Sequence, residues 1–356
     1  MENLTLKIGG AEVGGWVNAR VTRGIERMPS DFDLTVTNYM PGEGEQFVSE
    51  GESCELYLGD DKVITGYIDR IIKTISPQEH SIRVSGRGKC QDLVDCSAEY
   101  ESNVINNVTA LSLTQKLAAA HGIEVRTDVK DFEKVPQFTI NWGESAQEII
   151  ERVCRWAGLL YYDLPDGSLF LTRVGKDVAA SGLTQGINIQ QAEYSCSLDQ
   201  RFSEYVGVSL GISAAYSLGA NYAYDSVLLA KANDPEVGKL RNRKHISVVE
   251  STLIQKNLAQ TAITWEMNRR YGRSKVVKAK IDSWRDKDGL LWAPNTLIPI
   301  KAPVLGLENE NWLLSEVDFV KDDKEGTTAN LTLMPAQAFS IEPYEFYANV
   351  LKGPSQ

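Results

Sequence analysis

Alternation of apolar and polar residues at every second position constrains this chain more than any other feature. In the first hundred residues it recurs in "ENLTLKI", "FDLTVTN", "CELYLGD", "VITGYIDRIIKTI" and "HSIRVSG", separated by Gly, Pro, Asp and Asn. A period of two places one set of side chains on a buried face and the other in solvent, so each segment predicts a strand. Gly59-Asp60-Asp61 predicts a hairpin turn between two of them. Short antiparallel strands at this density predict a small barrel or sandwich over residues 1–97.

The texture changes after "DLVDCSAE". Ser112-Leu113-Thr114-Gln115 has the pattern of a capping box opening a short helix that Gly122 stops. Ser145-Ala146-Gln147-Glu148 has the same pattern, ahead of a helix with Ile149, Ile150, Val153, Cys154 and Ala157 on one face and Gly158 at its end. "LLYYDLPDGSLFLTRV" reads as a hairpin turning at Pro165-Asp166-Gly167. Residues 98–176 are therefore expected to form a small α+β domain.

Strand texture returns from Leu183, interrupted by a helix expected between Thr252 and Tyr271 and ending near Gly272. The segments 54–86 and 296–335 share one order: strand, short turn, long strand, polar turn, strand. That echo predicts two related antiparallel barrels, the second over 177–340 with the helix inserted, flanking the α+β domain and followed by a tail at 341–356. The fold class expected is mainly β with α+β.

Several chemistries can be weighed against this frame. "SGRGKCQDL" has the glycines and cations of a phosphate-binding loop, but the first P-loop glycine position holds Arg83 and the hydroxyl position holds Cys90. The glycine a dinucleotide fingerprint needs is replaced by Gln91, so the segment reads as a strand ending in a turn. Gly207-Val208-Ser209-Leu210-Gly211 matches the nucleophile elbow of serine hydrolases, with Asp225 or Asp234 and His245 following in order. The elbow needs a strand that turns at once into a helix. Here Val206, Val208, Leu210 and Ile212 alternate as in one uninterrupted strand, so a hydrolase using Ser209 is only the alternative reading.

Five cysteines form no C-x-x-C pair and three histidines lie far apart, so neither a zinc site nor a disulfide framework is predicted, and no cofactor is expected. The cysteines are expected to be reduced, small core residues. Glu144, Glu148 and Glu151 fall in or near the first turns of a helix, where the dipole favours negative charge without any catalytic role. No secretory signal is visible after Met1, and the uncharged run from Val206 to Tyr224 is too rich in Gly, Ser, Asn and Tyr to span a bilayer.

Charge is unevenly distributed. Lys239 to Lys280 holds eleven Lys or Arg against Glu250 and Glu266, a net +9 that leaves −20 on the rest of a chain whose total is −11. The ordinary reading is a solvated face. The functional one is a docking surface for an acidic partner or a neighbouring subunit, with Arg269, Arg270 and Arg273 near the end of the long helix as contact residues. Specific nucleic-acid binding is not expected, because no groove-reading motif accompanies the charge.

"VITGYIDRIIKTISPQEHSIRVSGRGKCQDLVDCSAE", with Thr65-Gly66-Tyr67-Ile68-Asp69, Val84-Ser85-Gly86-Arg87 and Asp92-Leu93-Val94-Asp95-Cys96-Ser97, closely resembles the baseplate hub proteins of Mu-like contractile-tail phages. "INWGESAQEIIERVCRWAGLLYYDLPDGSLFLTRV" and "SWRDKDGLLWAPNTLIPIKAPVLGLENENWLLSEVDF" also resemble that family, which extends the similarity from Leu4 to Ala338. The resemblance implies a non-enzymatic homotrimer in the virion tail, assembled in the host cytoplasm. It would join the tail tube to the membrane-piercing spike, pass DNA through its centre, and be related to the hub portion of type VI secretion spikes. It brings no active site with it.

Overall fold

The computed structural model describes residues 3–37, 48–77, 80–209, 228–249 and 256–340. All five early alternating segments are strands. Ser53–Leu58, Asp61–Ile75 and His80–Gly88 form an antiparallel meander, and Leu297–Ala302, Leu307–Asp322 and Gly326–Met334 form its counterpart. The echo in the sequence is thus a repeated three-stranded unit.

The two meanders belong to one 13-stranded sheet. His80–Gly88 pairs with Asp31–Thr37, that strand with Asn18–Gly24, and Asn18–Gly24 with Leu307–Asp322. At one end Leu4–Ile8 and Ala11–Val13 extend the first meander, and at the other Lys275–Ile281 and Ile189–Cys196 extend the second. Leu6, Leu34, Leu56 and Val84 share a single apolar core with Val277, Ile300, Phe319 and Leu331. Burial of side chains of this size stabilises by about 1.5–3 kcal/mol each, which is why both units hold together across one continuous core.

The middle of the chain folds around three helices. The first described helix, α1 (Gln91–Asp95), follows the exit of the first meander. The next, α2, spans Ala110–Ala119 and starts earlier than the sequence suggests. Its N-cap is Thr109, whose Oγ1 accepts from the Ser112 amide at 3.1 Å, while the Ser112 hydroxyl accepts from the Thr109 amide at 3.0 Å. Ser112 therefore closes the box instead of opening it, and the extra turn buries Ala110 and Leu113. In α3 (Ala146–Ala157) the box of Ser145 and Glu148 forms as its spacing predicts, and Gly158 ends the helix in the left-handed region at φ 62°. The hairpin Leu160–Asp163 with Leu169–Thr172 turns at residues 165–167.

A second small sheet of Leu228–Asn233, Glu204–Ser209 and Lys244–Val249 follows, with the central strand antiparallel to the first and parallel to the last. The short helix α4 (Pro235–Gly238) lies between two of its strands. The long helix α5 spans Lys256–Arg273 and so ends near Gly272 as expected, while the expected start at Thr252 lies outside the described residues. Ala259 and Ile263 of α5 join Tyr205 and Ala230 of this sheet in the core of the middle region.

Among the described residues no helix is long and apolar enough to cross a membrane, and no group of three or more His, Cys, Asp or Glu is placed to hold a metal. Cys54, Cys90 and Cys154 are buried, whereas Cys96 and Cys196 are exposed, so the expectation of five core cysteines is corrected for those two. Burial pushes the Cys54 thiol up to about 12 and raises Cys90 and Cys154 as well. Because the thiolate is the reactive form, native protein treated with iodoacetamide at about pH 8 should be modified at Cys96 and Cys196 alone. Peptide mass spectrometry checks this, and labelling of Cys54, Cys90 or Cys154 before unfolding contradicts it.

Candidate functional site: arginine-lined grooves beside the long helix

The segment "SGRGKCQDL" is consumed by packing. Gly88 faces Asp163, and a Cβ at that glycine would stand 2.5 Å from the Asp163 Oδ2. That carboxylate accepts from the Ser30 amide and hydroxyl, each at 3.0 Å, and so ties the middle region to the first meander. Burial pushes the Asp163 carboxyl up, against the opposing pull of Arg23 and the Ser30 hydrogen bonds. Lys89 Nζ donates to the Gly122 carbonyl at 2.6 Å, and Arg87 bridges Asp69 and Asp95, each at 2.6 Å. Glycines and cations are all committed to the exit turn, and no phosphate cradle exists there.

Ser209 lies at the end of the strand Glu204–Ser209, paired in parallel with Val249. The register sets His245 opposite Tyr205, four positions back along the same pair. At about 3.3 Å per residue that separation is about 13 Å, too far for a serine–histidine hydrogen bond. His245 Nε2 instead sits 3.0 Å from Glu266 Oε1, and Asp234 is held by Arg201 through bonds of 2.8 and 2.9 Å. Ser209 is the last described residue of its strand, and its side chain, the residues that follow it and Asp225 lie outside the described residues.

The basic segment leads to a more distinct surface. On α5, Glu266, Arg269, Arg270 and Arg273 stand at spacings of three and four and so share one helical face. That face looks across a groove of about 860 Å³ toward α3, which contributes Glu151, Arg152 and Arg155. A second groove of about 330 Å³ adjoins it, and Trp265, Arg269 and Arg273 line both.

The three arginines named from the sequence are brought together here, each with a partner in the chain. Arg269 reaches Glu26 at 2.7 Å and Arg273 reaches the same Oε1 at 3.3 Å. Arg270 holds Glu266 at 3.0 Å and lies over the Phe202 ring at 5.3 Å. Burial raises the Glu266 carboxyl, but hydrogen bonds from Ser247 and Arg270 and the facing charges of His245 and Arg270 outweigh it and hold the group below its ordinary value. Arg273 stays 54% exposed at its side chain, so its charge remains open to solvent. Sequence reasoning missed Glu26 and Trp265, because a carboxylate more than two hundred residues from its arginines leaves no local signal.

The arrangement gathers cations, carboxylates and an indole, with the Ser247 hydroxyl donating to Glu266 at 2.7 Å. A curated relative, the baseplate hub protein gp44 of Escherichia phage Mu, is 30% identical over 341 residues, which are 95% of this chain and 89% of the relative. The chain belongs to the baseplate hub proteins of Mu-like phages.

Three family models match the hub chain in succession. Residues 3–88 match the N-terminal domain of Mu phage baseplate assembly protein GpP-like proteins, 90–173 the second domain of baseplate hub protein gp44-like proteins, and 255–342 the fourth domain of Mu phage baseplate assembly protein GpP. Among solved structures, the 43 kDa tail protein of prophage MuSo2 from Shewanella oneidensis superposes with a TM-score of 0.81 at 30% identity, covering 96% of the hub chain and 100% of its own. The E. coli c3393 protein, described as a component of the type VI secretion system, shares the fold at TM-score 0.61 and 11% identity, with 95% and 79% of the two chains covered. The hub fold therefore matches that type VI component in architecture alone.

Proposed function

We propose that the chain is a non-catalytic structural hub of a contractile phage tail, a homotrimer that joins the tail tube to the spike. One observation carries the trimer. The terminal strand Ile189–Cys196 of the large sheet is eight residues long, largely exposed, and pairs within that sheet only with Lys275–Ile281 among the described residues. An edge that long invites uncontrolled pairing unless something covers it. A closed ring of identical copies supplies that cover, and three copies of the two meander units present an approximately sixfold face.

The units we assign are 1–97, 98–176, 177–340 and the tail 341–356, in a hub placed in the virion baseplate after assembly in the host cytoplasm. The −20 carried outside Lys239–Lys280 would keep passing DNA from adhering to the channel. Arg269, Arg270 and Arg273 are assigned to a neighbouring subunit or tail partner. Their charge at such a contact sets register and specificity more than raw affinity.

Light scattering on the purified chain tests the reading: three copies of 39.5 kDa give a mass of about 118 kDa, with rings in micrographs. Replacing Arg273, the most exposed of the three, with glutamate should shift that mass toward the monomer while leaving circular dichroism unchanged. A wild-type monomer at tens of micromolar, with no ring even when tube and spike proteins are added, overturns the trimer.

A further inference from the structure

We propose that the open edge of Ile189–Cys196 in one copy pairs antiparallel with the open edge of the long strand Asp61–Ile75 in the next, setting Glu193 opposite Arg70. The pairing rests on the assembly reading and deepens it, because it names the two different surfaces that meet at each joint of the ring.

The long strand outruns its neighbour. Ser53–Leu58 pairs with it as far as Tyr67, and the last backbone bonds on that side join Ile68 to Gly51 and Glu52. Residues 69–75 then pair only with His80–Gly88, on the other side, among the described residues. At 3.3 Å per residue this open edge is about 23 Å long, against about 26 Å for Ile189–Cys196. Ala11–Val13, at the far end of the large sheet, has three residues and is too short to cover a strand of eight. Pairing of Ile189–Cys196 with its own counterpart would make a twofold dimer, whereas a ring of three needs two different surfaces on each copy.

The side chains of the two edges are complementary. On the core side, Ala192 and Tyr194 of one edge and Ile71 of the other are partly buried against the large core, so pairing carries that core across the joint. On the outer side Arg70 and Glu193 are both exposed, and neither has an ion-pair partner among the described residues. Lys278 is the cross-strand neighbour of Glu193 but forms no ion pair with it. With Glu193 opposite Arg70, the same antiparallel register brings Ile75, 84% exposed, toward Ile187, 78% exposed. Opposite charges and apolar pairs across a joint each favour it modestly, and the backbone bonds of an added strand supply the affinity.

Charge reversal and crosslinking of the full chain test the pairing. Arg70→Glu and Glu193→Arg should each raise the concentration at which the trimer half-dissociates by at least about tenfold, because each sets like charges opposite one another at every joint. The double variant should return to within about threefold of the wild type, as expected of a directly coupled pair. Directly opposed positions in an antiparallel pair are close enough for a disulfide. Arg70→Cys combined with Glu193→Cys, in a chain whose Cys96 and Cys196 are replaced by serine, should therefore give a covalent trimer on a denaturing gel after treatment with diamide. Neither cysteine alone should crosslink. A trimer indifferent to both reversals, a trimer that forms no disulfide, or crosslinking by Glu193→Cys alone overturns the pairing and leaves the ring. Crosslinks that run on past three copies keep the pairing and overturn the ring, and a wild-type monomer removes both.

Discussion

Replacing Arg201 with alanine should destabilise the hub chain by about 3–5 kcal/mol, the cost of breaking a buried ion pair from one side. Arg201 is 1% exposed, and its guanidinium donates to Asp234 through two bonds of 2.8 and 2.9 Å and to Glu236 at 2.9 Å. Its carbon plane lies 4.8 Å from the centre of the Tyr271 ring on α5. Without the arginine, Asp234, itself 4% exposed, keeps among the described residues two backbone donors, the Glu236 amide at 3.0 Å and the Val237 amide at 3.2 Å. The penalty is the uncompensated carboxylate, not the value of the bond itself. A second change, Asp234→Asn, should therefore recover a large part of the loss. Thermal unfolding and hydrogen exchange across Glu204–Ser209 check both variants. A double variant no better than Arg201→Ala, or a single variant within about 0.5 kcal/mol of the wild type, would refute the account.

What the sequence discloses depends on how local its causes are. The two meanders were legible because each strand buries every second residue, as Cys54, Leu56 and Leu58 do along Ser53–Leu58. Asn18–Gly24 was not singled out as a strand, since "NARVTRG" is mostly polar. It nonetheless links the two halves, and Thr22, whose hydroxyl reaches Asp318 at 2.6 Å, is buried only because of that distant pairing. The Ser145 cap was legible whole, while the Thr109 cap was displaced by three residues because Thr and Ser both suit the role and burial of Leu113 decided between them. The arginines of α5 were legible as a charge run. Their meeting with Glu26 and the approach of α3 depend on the tertiary fold and leave no pattern in a single chain.

Gly272 sharpens that point, and it carries the other large effect. A glycine that closes a helix in the left-handed region resists substitution through its backbone, whereas Gly272 resists it through packing. The helix α5 ends one residue later, at Arg273, and a Cβ built on Gly272 would stand 1.8 Å from the Ala338 Cβ and 2.5 Å from its Cα. Contacts under 3 Å with backbone cannot be relieved by turning a side chain, so Gly272→Val must push the turn Ala336–Phe339 off the helix. The displaced turn takes with it Phe339, which is 1% exposed, and opens Trp265 in the same cluster. Overpacking alone costs about 1–3 kcal/mol and loss of a buried phenylalanine contact can cost about as much again, so a loss of at least about 3 kcal/mol is expected. Gly272→Ala should already show much of it, although alanine is the better helix former by about 1 kcal/mol. Ala338→Gly on the valine background should return only part of the stability, because the clash with the Ala338 Cα remains when its Cβ is gone. Thermal denaturation of the three variants decides the matter. Stabilisation by Gly272→Ala would mean that α5 and the turn Ala336–Phe339 are not in contact.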